Sequence, residues 1–83
     1  MDQRTVGQNI KRARYRAGIM QAQFADMLGI PLRTLQRIEQ GRGNISMAML
    51  QRIAGAQNKR LDWYLIDQGD ERRRVRKVIP ERP

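Results

Sequence analysis

Arg33, Gln36 and Arg37 place long hydrogen-bonding side chains at three of five consecutive positions in an 83-residue chain. Arg33 and Arg37 are four apart, so on a helix they share a face, and each can reach the O6 and N7 acceptors of a guanine. Gln36 can pair with an adenine edge or bind a phosphate. Leu32, just ahead, has two readings: contact with a thymine methyl, or closure of the preceding turn. Groups suited to phosphate oxygens lie on either side. Gln21 heads an upstream segment, Thr34 sits within the basic stretch, and Arg42-Gly43-Asn44 follows it with main-chain N–H groups as well as side chains. Catalysis has no comparable set. The chain contains no Cys and no His, and its eight acids give Glu39 no nucleophile or companion carboxylate. The sequence therefore reads as a non-enzyme that needs no metal or other cofactor.

Glu39 is out of place on an otherwise basic helix. A structural ion pair with an arginine of the first helix, Arg14 foremost, gives it a role and keeps its charge from repelling phosphates. Losing one partner of such a pair leaves a partly buried charge uncompensated.

The elements that must hold these residues follow from periodicity. Val6, Ile10 and Ala13 recur at helical spacing and predict a first helix over 6–16, stopped near Gly18. Ala22, Ala25 and Leu28, widened by Phe24, predict a second helix over 21–28. Gly29 can adopt the left-handed conformation that ends it. Pro31 suits a first helical turn, and a third helix over 32–40 buries Leu35 and Ile38. Residues 41–44 read as a loop, and Ser46 as the N-cap of a fourth helix with Met49, Leu50, Ile53 and Ala54 on its apolar face. A shorter fifth helix is expected over 61–66. The expected fold is all-α: five short helices around one core over residues 1–69, with a basic tail over 70–83. The tail reads as disordered, or as a short strand or docked arm through Val75, Val78 and Ile79.

Charge narrows the partners. Seventeen Lys and Arg oppose eight Asp and Glu, a formal net charge of +9. Residues 1–69 carry eleven basic and five acidic groups and residues 70–83 six and three, so the tail alone does not account for the excess. Such a surplus attracts polyanions, and solubility alone would also tolerate it. No apolar run is long enough to span a membrane and no secretory signal opens the chain, so a cytoplasmic location is expected and a membrane partner is not.

The stretch MQAQFADMLGIPLRTLQRIEQG resembles the core of the lambda repressor and Cro-like, or XRE-type, helix-turn-helix family. The shared features are Gln21, Phe24-Ala25, Gly29 and Ile38-Glu39-Gln40-Gly41, and the likeness extends over about residues 6–67. The resemblance implies a five-helix domain that binds a palindromic double-stranded DNA operator as a homodimer. It implies phosphate contact by Gln21, base reading by Leu32, Arg33 and Arg37, and an ion pair between Arg14 and Glu39. The chain departs from the family at Met20, where a Ser, Thr or Asn cap is common, and at Ile30-Pro31, which replace a small polar cap.

Trp63, Tyr64 and Ile66 crowd one short segment and cannot all face inward. Tyr64 and Ile66 are the expected dimer positions; otherwise Trp63 and Leu65 enter the core and the other two are merely exposed. Arg72-Arg73-Arg74 can track phosphate, keep the chain soluble or extend a dimer interface, and the sequence does not choose. The leading expectation is a sequence-specific DNA-binding repressor. The alternative is an antitoxin-type interaction module that neutralises a partner protein and autoregulates its operon.

Overall fold

Asp2 starts the first helix earlier than its apolar stripe suggests. Its carboxylate accepts from the Arg4 N–H at 3.0 Å and the Thr5 hydroxyl at 2.9 Å, and α1 runs Gln3–Arg16. The structure is a computed structural model that describes residues 1–70, so the roles expected for Arg72–Arg74 and for Val75–Ile79 lie outside the described residues. Then come α2 (Gln21–Leu28), α3 (Leu32–Glu39) and α4 (Met47–Gln57), and no strand occurs among the described residues.

Each turn has a local cause. Met20 offers α2 no capping oxygen, but Gln23 Oε1 reaches back to the Met20 N–H at 2.9 Å and satisfies one of the donors at that end. At the other end Gly29 takes φ 70° and ψ 32°, and the Ile30 N–H closes onto the Ala25 carbonyl at 3.0 Å. Pro31 follows at φ −62° and its carbonyl accepts from Thr34 and Leu35, which launches α3 after a minimal turn. Ser46 Oγ accepts from the Met49 N–H at 3.0 Å and caps α4.

The expected fifth α-helix is instead a 3-10 helix, Leu61–Leu65. Asn58 ends α4 in the left-handed conformation at φ 58°, and only a few residues follow before the chain is drawn against α1. Two carbonyls of that region, those of Tyr64 and Ile66, accept from Asn9 rather than from a following helical turn. The fold thus has four α-helices and two short 3-10 segments, Leu61–Leu65 and Gln68–Asp70, among the described residues.

The core is continuous across all of these elements. Val6 and Ile10 of α1, Phe24 and Leu28 of α2, Leu35 of α3, Leu50 and Ile53 of α4, and Tyr64 are all but sealed from solvent. Burying each of the larger apolar side chains contributes on the order of 1.5–3 kcal/mol, so the outward face of α3 is carried on a well-anchored helix. Where α1 crosses α3 there is no side chain between the backbones. A Cβ on Gly7 would collide with the Ile38 carbonyl oxygen and lie 2.9 Å from that of Glu39.

Candidate nucleic-acid interface

One face of α3 carries Leu35 into the core at full burial, with Ile38 packed against it. That fixes what the opposite face must show. Leu32, Arg33, Thr34 and Arg37 are exposed and Gln36 is half-buried. Leu32 retains 40 % of its surface, so it does not close the turn as a core residue. Two cations and a hydroxyl therefore project from a helix whose other side is locked.

The loop after α3 folds back beside this face. The Arg42 N–H bonds the Arg37 carbonyl at 2.9 Å and the Gly41 N–H bonds that of Ile38 at 3.1 Å. Gly43 has φ 73°, and a Cβ there would sit 3.7 Å from an Arg37 terminal nitrogen. Thr34, Arg37, Arg42, Gly43, Asn44 and Ser46 line a shallow cleft between the end of α3 and the start of α4, together with the apolar Ile38, Ile45 and Met49. The guanidinium groups, hydroxyls and main-chain N–H groups around this concavity suit an anionic backbone.

Beneath the face lies the charge that α3 does carry inward. Arg14 Nε donates to Glu39 Oε2 at 2.8 Å and Arg14 Nη2 to Glu39 Oε1 at 2.9 Å, a two-pronged contact between side chains 5 % and 2 % exposed. Arg14 Nη1 also donates to the Ile19 carbonyl at 3.0 Å, which ties the entry to α2 into the same cluster. The hydrogen bonds that Arg14 donates to Glu39 raise its pKa above the ordinary value despite desolvation. Gln21 Nε2 donates to Glu39 Oε1 at 2.9 Å. Its amide is thus partly committed inward, and its remaining N–H and oxygen stand at the start of α2, the end of a helix at which backbone N–H groups lack intrahelical partners.

The structure corrects the expected dimer pair in part. Tyr64 is fully buried, because the three-residue period of a 3-10 helix puts it on the inward side with Leu61. Its hydroxyl donates to Gln57 Oε1 at 2.6 Å and its ring meets Trp63 edge-on at 5.1 Å. Burial pushes its phenol pKa well above the usual range. Trp63 is half-buried, and Lys59 Nζ lies 4.7 Å from the centre of its ring. Leu65 and Ile66 are the outward members, 53 % and 57 % exposed.

A family profile described as Helix-turn-helix matches residues 10–64, more than half of the chain, and it spans α2, the Gly29 turn and α3 in the arrangement just described. The chain belongs to the helix-turn-helix family of the lambda repressor and XRE type. No curated protein matches it. In this family the domain is that of a DNA-binding transcription regulator acting on double-stranded DNA. Among the described residues no helix is long and apolar enough to cross a membrane.

Sequence reasoning missed Asn9. It is fully buried in the Val6–Ile10–Ala13 stripe of α1, and both of its side-chain donors and its acceptor are used. The signal was present: a polar residue at a helical position where an apolar one is due.

Proposed function

We propose that this helix-turn-helix protein is a repressor that occupies a palindromic operator as a homodimer, with α3 reading base edges in the major groove. The observation that carries this reading is the division of charge on α3. Its acid is buried against Arg14, whereas Arg33 and Arg37 face solvent beside a polar, concave loop. In the proposed complex Leu32, Arg33, Gln36 and Arg37 meet bases, and Gln21, Thr34, Arg42, Gly43 and Asn44 meet phosphates. One such helix covers a single half-site, so two copies across a dyad are needed for an operator of useful specificity. Exposed Ile66, with Leu65 taking the place expected of Tyr64, supplies an apolar pair for that association.

The test is binding to a duplex from upstream of the chain's own gene and to a scrambled duplex, across a salt series, for wild type and Arg37→Ala. A preference for the native duplex that Arg37→Ala reduces by about 10- to 100-fold, with scrambled binding little changed, supports base reading, since a good bidentate contact discriminates by about 1–3 kcal/mol. Equal binding to both duplexes, fading with salt and indifferent to the substitution, sinks it. The exposed Leu65–Ile66 pair would then favour the alternative, a module that neutralises a partner protein.

A further inference from the structure

We infer that Gln3 is the positioning residue of the loop between α3 and α4, holding Arg42, Gly43 and Asn44 in the form that meets DNA phosphate. The inference rests on the phosphate contacts proposed above for those three residues. It assigns their shape to a side chain that lies ahead of residues 10–64, the span of the family likeness.

The loop is tied at both ends. The N–H groups of Gly41 and Arg42 return to the carbonyls of Ile38 and Arg37 and fix where it leaves α3. At the far end the Ile45 N–H donates to Gln3 Oε1 at 3.1 Å, across 42 residues of sequence. Ile45 is 8 % exposed, so water is a poor substitute for this acceptor, and a buried N–H left without a partner is costly. Gln3 is well placed to serve. Asp2 caps α1 one residue earlier, and the first turn of α1 lies so close to the loop that a Cβ on Gly41 would sit 2.7 Å from the Arg4 Cα.

The residues between these two ties are the ones that bear on DNA. Arg42, Gly43 and Asn44 are exposed, and among the described residues the Gly43 and Asn44 N–H groups donate to no protein acceptor. Main-chain donors of this kind beside a guanidinium suit phosphate oxygens, and such contacts are worth most when the loop already holds its shape. The bond from Ile45 to Gln3 removes freedom at the end of the loop, so less ordering is left to be done on DNA. The chemistry of the acceptor fits as well. An amide oxygen is neutral, whereas a carboxylate of the same reach would accept the N–H but set a negative charge near the phosphates.

Two measurements on the full chain decide: amide hydrogen exchange at Ile45, and affinity for a mixed-sequence duplex of about 20 base pairs, two turns of DNA, across a salt series. The variants are Gln3→Ala; Gln3→Met, which keeps the length without the amide oxygen; and Gln3→Glu, which keeps an acceptor. A loop variant, Arg42→Ala/Asn44→Ala, is measured with and without Gln3→Ala. Gln3→Ala and Gln3→Met should speed Ile45 exchange about tenfold or more and weaken duplex binding about three- to tenfold. They should also make the salt slope shallower by about 0.9, one phosphate contact. Gln3→Glu should keep Ile45 exchange slow, and Gln3→Ala should add little to the loop variant. Faster exchange with affinity and slope unchanged marks a bond that serves stability alone, and overturns the positioning role. Exchange in Gln3→Ala as slow as in wild type, or in Gln3→Glu as fast as in Gln3→Ala, overturns it too. So does an equal loss from Gln3→Ala in the wild-type and loop-variant backgrounds, or failure of both Gln3→Ala and Gln3→Met to fold. A loop variant with the wild-type slope overturns the phosphate reading of the loop, and the role of Gln3 with it. A shallower slope there, with Gln3→Ala binding as wild type does, overturns the role of Gln3 alone.

Discussion

Replacing Glu39 by Gln keeps the shape of the side chain and removes its charge. The consequence follows from what surrounds it. Arg14 loses the charge and one prong of a partner at 2.8 and 2.9 Å and keeps only neutral acceptors, one amide oxygen and the Ile19 carbonyl, and Gln21 loses a charged acceptor. The Arg14 guanidinium, on a side chain 5 % exposed, is then an uncompensated buried cation. Breaking such a pair from one side costs about 3–5 kcal/mol. A chain of this length has total stability on the order of 4–12 kcal/mol, so the variant should be marginal at 25 °C. Removing both charges together, as Arg14→Met with Glu39→Met, should cost far less than the two single substitutions summed, because neither charge is left stranded. Hydrogen bonding to Glu39 raises the Arg14 pKa above its ordinary value, so its share of this stability should be constant through the neutral range and lost only in strong alkali. Urea unfolding of the four species, followed by far-UV circular dichroism with m-values compared, measures the coupling. A Glu39→Gln cost below about 1 kcal/mol, or a double variant as unstable as the sum of the singles, would refute the reasoning.

Other substitutions test separate links. Gly7→Ala forces a methyl group into the Ile38 and Glu39 carbonyls, and should cost about 1–3 kcal/mol in thermal unfolding while weakening duplex binding by tilting α3. Gly29→Ala meets no neighbouring atom but strains a residue at φ 70°, so the loss should be only about 1 kcal/mol, with the fold intact. Ser46→Ala removes the N-cap of α4 and should cost about 1 kcal/mol in urea unfolding. Tyr64→Phe bears on pH. The buried phenol has a raised pKa, so its contribution to stability is full below the unfolded-state value near 10 and falls as pH rises beyond it. Tyr64→Phe should flatten the alkaline loss of stability; an unchanged alkaline profile would show that this phenol is not responsible.

Much of this molecule was legible because its punctuation is strong. Gly29, Pro31 and Ser46 mark helix ends by backbone chemistry that needs no tertiary partner, and α2 and α3 begin at the residues their stripes imply. The first helix was placed late because its start depends on Asp2 capping rather than on an apolar residue. The last segment resisted for another reason. Trp63, Tyr64, Leu65 and Ile66 are all plausible core residues by composition, and their sorting depends on a three-residue period and on the grip of Asn9, some 55 residues away in sequence. Along α3, burial of Leu35 dictates which residues face out, so the candidate base readers could be named from periodicity. The inward hydrogen bond of Gln21 could not, because a glutamine at a helix start looks the same whether it serves solvent, phosphate or a buried carboxylate.

The bare crossing at Gly7 has a consequence for how such a protein can change. Because main chain meets main chain there, the pitch of α3 relative to α1 is set by atoms common to every amino acid and not by the residues that face outward. Positions 32, 33, 36 and 37 can therefore be exchanged without disturbing the hinge on which they ride. On the proposed base-reading role, a lineage, or an engineer, can rewrite the DNA address at those four positions and leave the scaffold that delivers it alone.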